Sequence, residues 1–265
     1  MRGHSGQRCP RTVNKEPMSS THPVNESAKP EQESTAATLN AEFFVENDFY
    51  RVSQKNLEIY RLIGLAAAHE TANSVALLDV GNGGFFEYPI GHIPDVTAID
   101  LFVDPSFGPR YPRVEWHQLS VLEMTFDKRF DTVIAINTLH HLVGRSVEQT
   151  YVNLREFVRR ARAALRPGGK LVVIESTMPR WFVALYGPIF PLVLKLWPLS
   201  HPPTFQFHYR DILTTAEDAG MTLREFTWIP KTSDFILLGV QVKRWMAPIR
   251  VGKFVFVRPW DDGRT

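Results

Sequence analysis

Short apolar runs recur along the chain and alternate with stretches of helical periodicity. Val75–Val80, Val96–Ile99, Phe130–Ile136 and Leu171–Ile174 are rich in Val, Ile, Leu and Ala with little polar alternation. Runs of this kind predict strands buried on both faces of a parallel sheet. Val114–Gln118 reads as a further strand. Helical spacing covers Ser53–His69, through Leu57, Tyr60, Ile63 or Gly64, and Ala67. It returns over Ser146–Leu165, where Val147, Tyr151, Leu154, Val158, Ala161 and Leu165 share one face. Ser146 and Gln149 fit a capping box at the start of that helix, and Pro167-Gly168-Gly169 stops it. His208–Ala219 is a last helix ending at Gly220, and Leu223–Ile229 with Phe235–Val242 reads as a closing hairpin. Phe254–Val257 is expected as an added edge strand. Strands and helices that alternate in this way predict an α/β domain with helices on both faces.

The first apolar run ends in Asp79-Val80-Gly81-Asn82-Gly83-Gly84. Glycines there allow a sharp turn and bring backbone N–H groups near a ligand. The second run closes on Asp100, one strand–turn–helix–strand step further on, about 20 residues. An acid at that place can accept hydrogen bonds from a ribose diol. The unit therefore reads as a nucleoside-binding βαβ step. Phe86 stands where a dinucleotide fingerprint needs its third glycine, which disfavours a nicotinamide or flavin cofactor. The intervening helix is expected to be short, over Phe85–Tyr88, because Pro89 and Pro94 interrupt it.

Composition narrows the classes. The formal net charge of +2 over 265 residues gives no polyanion signal, so a nucleic-acid partner is not expected. The lone cysteine, Cys9, cannot form a disulfide within the chain, which fits a reducing, cytoplasmic setting. Residues 1–39 are polar and poor in aromatics and read as a disordered leader without a secretory core. Residues 40–244 would form the domain and 245–265 a C-terminal extension. Residues 178–207 differ in character, being rich in Trp, Phe, Leu and Pro. Pro188, Pro191 and Pro198 are expected to break any long helix there. The segment could be a lid over an apolar substrate pocket, a homodimer surface or a peripheral membrane contact.

Four segments carry a family resemblance, over about residues 53–244. Leu78–Gly83, Asp100, Phe130–Val133 leading to Leu139–Leu142, and Leu165–Leu171 are similar in order and spacing to the motifs of class I S-adenosylmethionine-dependent methyltransferases. That resemblance implies a Rossmann-like, mostly parallel seven-stranded sheet with an antiparallel last strand. It implies S-adenosylmethionine as cofactor and no metal. By the same resemblance, Asp79, Gly81 and Gly83 would approach the methionine part of the cofactor and Asp100 its ribose. Leu101, Ser120 and Val121 would surround the adenine, and Asn137 would face the methionine part. Phe85 stands where the family usually has another glycine, and the acid that often holds the adenine amino group has no counterpart at Ser120-Val121.

The sulfonium methyl is already activated, so alignment of a nucleophile and exclusion of water matter most. An oxygen acceptor also calls for a base. His140 resembles the base histidine of O-methyltransferases, with His141 as the second candidate; in an extended loop only one of the two could point into the site. Tyr50, Trp181, Tyr186 and His208 are candidates to line the substrate pocket, and Glu175 stands at the same strand edge. The segment Asn137-Thr138-Leu139-His140 lacks the Asn-Pro-Pro-aromatic motif of base and amide N-methyltransferases. O-methylation of a small apolar or aromatic molecule is the expected activity. A nucleotide-dependent oxidoreductase and a non-catalytic, membrane-associated binding protein are the alternatives.

Overall fold

A computed structural model describes residues 58–196, 204–229, 234–237, 240–243 and 249–260. Its elements run α1 (Glu58–Thr71), β1 (Ala76–Val80), β2 (Asp95–Asp100), α2 (Phe107–Arg110), β3 (Val114–Gln118) and β4 (Phe130–Ile136). A single 3₁₀ turn (Leu139–His141) precedes α3 (Val147–Ala164), β5 (Leu165–Thr177), α4 (Arg180–Leu196) and α5 (Tyr209–Asp218). The chain closes with β6 (Thr222–Ile229), β7 (Asp234–Leu237), β8 (Val240–Lys243) and β9 (Arg250–Val257).

Seven strands form one sheet in the order β3-β2-β1-β4-β5-β9-β6. Strands β1 to β5 are parallel, and β9 is antiparallel to both of its neighbours. The expected sheet, with its reversed last strand, is therefore present. Alternation within each buried strand feeds two cores. Leu78, Val133, Ala135, Leu171, Val173, Phe254 and Phe256 meet Leu154, Phe157, Val158 and Ala161 of α3 on one face. Leu77, Ile134, Val172, Ile174 and Val255 meet Ile63 and Ala67 of α1 on the other.

Four expectations need correction. The strand that completes the sheet is β9, which lies inside it between β5 and β6 and not at an edge. Its run from Val251 to Phe256 is buried throughout, as fits a strand paired on both edges. The Phe235–Val242 segment does not pair with β6. It folds on itself as an antiparallel pair, Phe235 opposite Val242 and Ile236 opposite Gln241. No helix forms at Phe85–Tyr88, where only turns and bends join β1 to β2. Conversely, α4 runs through Pro188 and Pro191. The residue before Pro188 is Gly187, so the usual clash of the proline ring with a preceding Cβ does not arise. The carbonyl that Pro188 leaves without a donor belongs to exposed Ala184, where water can serve it. Among the described residues no helix is long and apolar enough to cross a membrane.

Candidate active site

The ends of β1, β2, β4 and β5 meet at the C-terminal edge of the sheet, where open α/β sheets bind ligands. Backbone bonds tie these ends together. Gly81 N–H donates to Ile99 O (2.8 Å), Leu119 N–H to Asp100 O (2.8 Å) and Asn137 N–H to Ile174 O (2.8 Å). The Thr138 hydroxyl donates to Val80 O at 3.0 Å and links the fourth strand end to the first.

Gly81, Gly83 and Gly84 all have positive φ, +68°, +65° and +83°. At Gly83 a Cβ would meet nothing closer than Phe85 Cε1 at 3.9 Å, so bare backbone faces open space. The half-buried Asp100 carboxylate is aimed at this bend. Its Oδ2 accepts from Gly83 N–H (2.8 Å) and its Oδ1 from Phe102 N–H (3.1 Å). Burial raises the Asp100 pKa, while the N–H groups of Phe102, Gly83 and Leu101 oppose the shift. A carboxylate beside open glycine backbone suits a ligand that offers hydroxyls and wants N–H donors. Asn137 also has a left-handed backbone, φ +50°, a strained state for a residue with a Cβ and one concentrated at binding edges.

The other cofactor candidates scatter. Asp79 is buried, and its Oδ2 accepts from Tyr88 Oη (2.7 Å) on the α1 side of the sheet. Burial pushes its carboxyl up to about 7, against hydrogen bonds from Tyr88 and Asn82. Leu101 is exposed just past β2. Ser120 is half-buried and spends its Oγ on Leu122 N–H (3.2 Å). Val121 belongs to the α3-side core.

His140 and His141 sit on the 3₁₀ turn, not on an extended loop, and their rings lie side by side with centroids 4.2 Å apart. The His140 ring contacts Glu175 at the end of β5, Nδ1 to Oε1 2.7 Å. Glu175 is fully buried. Its Oε2 accepts from Leu139 N–H (2.7 Å) and its Oε1 from Ser176 N–H (2.8 Å). The Ser176 hydroxyl spans Glu175 Oε1 (3.1 Å) and Gln206 Oε1 (2.6 Å), and its one proton can serve only one of them. The sequence does not reveal the pairing of Glu175 with His140, because the two residues lie 35 positions apart. The one signal of it is the position of Glu175 near the end of β5.

Of the pocket candidates, Tyr50 lies outside the described residues. Tyr186 is on the inner face of α4, its ring 5.4 Å from Phe190 and 6.1 Å from Phe205. Trp181 is instead on the outer face, 62% exposed, because its position on the helix turns it away from the Phe182–Tyr186–Phe190 side. His208 is buried as the cap of α5, accepting from Arg210 N–H at 3.4 Å while the Asp211 carboxylate accepts from His208 N–H at 3.3 Å.

Comparison with known proteins follows the same lines. Residues 78–173 match the family described as methyltransferase domain. No curated protein sequence matches the chain. Among solved structures, the 1,6-didemethyltoxoflavin-N1-methyltransferase of Burkholderia thailandensis, with bound 1,6-didemethyltoxoflavin and S-adenosylhomocysteine, is similar at a TM-score of 0.58. It is 16% identical, over 88% of this chain and 91% of that one. A possible histamine N-methyltransferase of Thermotoga maritima is similar at 0.54 and 12% identity, over 83% of this chain and 99% of that one. The [4+2]-cyclase SpnF is similar at 0.50 and 14% identity, over 76% and 81%. Its activity shows that the fold alone leaves the reaction open. Residues 78–173 thus match a methyltransferase domain, and the sheet order with its reversed strand is that of a Rossmann-like methyltransferase fold. The domain match and the shared fold support an S-adenosylmethionine-dependent methyltransferase.

Proposed function

We propose that the protein methylates an oxygen of a small apolar or aromatic acceptor, with His140 as the base. The observation that carries this reading is the contact between His140 Nδ1 and the buried Glu175 carboxylate, at 2.7 Å. A carboxylate on Nδ1 holds the proton of the neutral ring there, so Nε2 keeps its lone pair. Glu175 is itself held by two backbone N–H groups, and Phe205 N–H donates to His140 O at 2.9 Å. The ring is thus held through Nδ1, and the backbone that carries it through its carbonyl. Such a base can take the proton of a hydroxyl or phenol as the acceptor oxygen attacks.

When bound, S-adenosylmethionine supplies a methyl group already activated on a sulfonium. Gly81, Gly83 and Asn137 would line the methionine part and Asp100 would hold the ribose hydroxyls. This assignment rests on the open backbone at Gly83 and the carboxylate beside it. Leu101 and Ser120, past the ends of β2 and β3, would border the adenine. The inner aromatics of α4, Tyr186 among them, support an apolar acceptor. His208 as cap and Trp181 on the outer face are poorer candidates for its pocket than Tyr186.

The test is methyl transfer to a panel of phenols, hydroxy acids and aromatic amines. His140→Ala should lower turnover on oxygen acceptors about 100-fold or more, with S-adenosylhomocysteine affinity unchanged by calorimetry. Glu175→Gln should lower kcat more than it alters KM. Unchanged turnover in His140→Ala removes the histidine from the role. A nitrogen acceptor is the second reading, favoured by the Burkholderia thailandensis neighbour, whose substrate is methylated at N1. Amines methylated equally well by wild type and His140→Ala would establish it.

A further inference from the structure

Helix α4 is apolar on two sides. Its inner side packs inward: Phe182 lies 6.2 Å from Tyr186, and Phe190 lies 5.1 Å from Phe205. Its outer side carries Trp181, Leu185, Ile189 and Leu192, which are 62%, 68%, 52% and 56% exposed. These residues follow one another at four-, four- and three-residue steps, so they form one stripe along three turns, about 16 Å long. Ala184 and Pro188 beside them are exposed too. Single exposed leucines are ordinary on a protein surface, but a continuous stripe marks an interaction face.

Charge decides what meets it. From Ser176 to Arg210 the sequence contains no Asp or Glu, while Arg180, Lys195 and Arg210 are cationic. Arg180 and Arg210 are exposed, and both act electrostatically on His208. Met178 N–H donates to Phe207 O at 3.0 Å, which fastens the start of α4 beside the start of α5 and brings these two arginines to one end of the stripe. A second copy laid on the same face would oppose these cations to one another with no acid in the segment to pair them. An anionic lipid surface meets both requirements: acyl chains for the stripe and phosphates for the arginines.

We propose that the outer face of α4 docks this protein on anionic membranes, with Trp181, Leu185, Ile189 and Leu192 entering the interface and Arg180 and Arg210 meeting headgroup phosphates. The helix lies in the membrane plane and does not cross the bilayer. This docking is independent of the acceptor chemistry proposed above.

The experiment is co-sedimentation of the full chain with vesicles of phosphatidylcholine alone and of three parts phosphatidylcholine to one part phosphatidylglycerol. Partition into the mixed vesicles should exceed that into neutral ones by about tenfold and fall with added salt. The double variant Leu185→Glu/Ile189→Glu should lose about tenfold or more of that partition. Both positions are exposed, so its unfolding midpoint should match wild type. Leu65→Glu, an exposed leucine on α1 beneath the opposite face of the sheet, should bind like wild type. Absence of partition, or equal partition by the double variant, overturns the proposal. Equal binding to neutral vesicles overturns its anionic component. A concentration-dependent dimer that the double variant abolishes would assign the face to a second copy instead.

Discussion

Asp79 shows how a residue can sit in a recognised motif and do something else with its side chain. Its carboxyl and that of Glu87 are both pushed up to about 7, in each case first by burial. In the unfolded chain they titrate near 3.8 and 4.5. Between those values and 7 the folded state keeps protons that the unfolded state has released. Their contribution to stability is therefore complete at low pH, and is lost as pH rises through about 7. Asp79→Asn can still accept from Tyr88 and cannot ionise. Thermal unfolding followed at steps from pH 5 to pH 8 should show a fall in midpoint for wild type that shrinks by about half in the variant, since Glu87 remains buried. An identical fall in both would mean that Asp79 is ionised across that range. The chemistry of the Gly81–Gly84 bend and of Asp100 was legible from residue type and spacing. The duty of Glu175 was not, because residue type says nothing about which distant ring a carboxylate will face.

At the scale of elements, the β1–β2 crossover departs furthest from a regular βαβ step. Where a helix would cover the sheet, rings do so: Phe86 lies 5.0 Å from Tyr111, and Phe107 lies 5.1 Å from Trp116. The glycine bend is locked to this cluster. A Cβ at Gly84 would lie 1.8 Å from Phe107 Cζ, and Phe107 is buried against Trp116 with little room to yield. Gly84→Ala also places an L side chain at φ +83°. Together these should cost about 3 kcal/mol of stability by denaturant titration, from backbone strain and overpacking. A loss below about 1 kcal/mol would show that the Phe107 ring moves freely. Proline counting misled only at α4. Whether a proline stops a helix depends on its neighbours and on what serves the freed carbonyl. Around Pro89 and Pro94 no helix forms, whereas at Pro188 the preceding glycine and an exposed carbonyl let the helix continue.

Across the whole molecule, β9 is the strand on which the sheet closes. It pairs with β5 over Lys170–Thr177 and with β6 over Thr222–Ile229. It also carries Lys253, whose buried ammonium meets Glu70 Oε1 (2.7 Å) and Glu225 Oε1 (2.8 Å). Glu70, at the end of α1, further meets Arg224 (2.8 Å) and Lys170 (3.5 Å). Burial alone would raise the Glu70 pKa, but Lys253, Lys170 and His69 outweigh it and hold the group at about 2. One ion cluster thus joins α1, β5, β6 and β9. A chain ended after Arg244 loses this strand and leaves Glu70 and Glu225 without their buried cation. It should show no cooperative thermal transition and no near-ultraviolet circular dichroism, and retained cooperativity would demote β9 to an accessory strand.

The sequence by itself determined the β/α alternation, the strands from β1 to β4, the α3 cap at Ser146 and the glycine bend facing an acid. The alternation and strands follow from local periodicity, the cap from a contact three residues apart, and the bend with its acid from a 17-residue spacing. Tertiary structure alone decided that β9 enters the sheet, that Glu175 holds His140 and that α4 leaves one apolar side uncovered. Each of those outcomes depends on which distant segments compete for the same partner, and no local pattern carries that information.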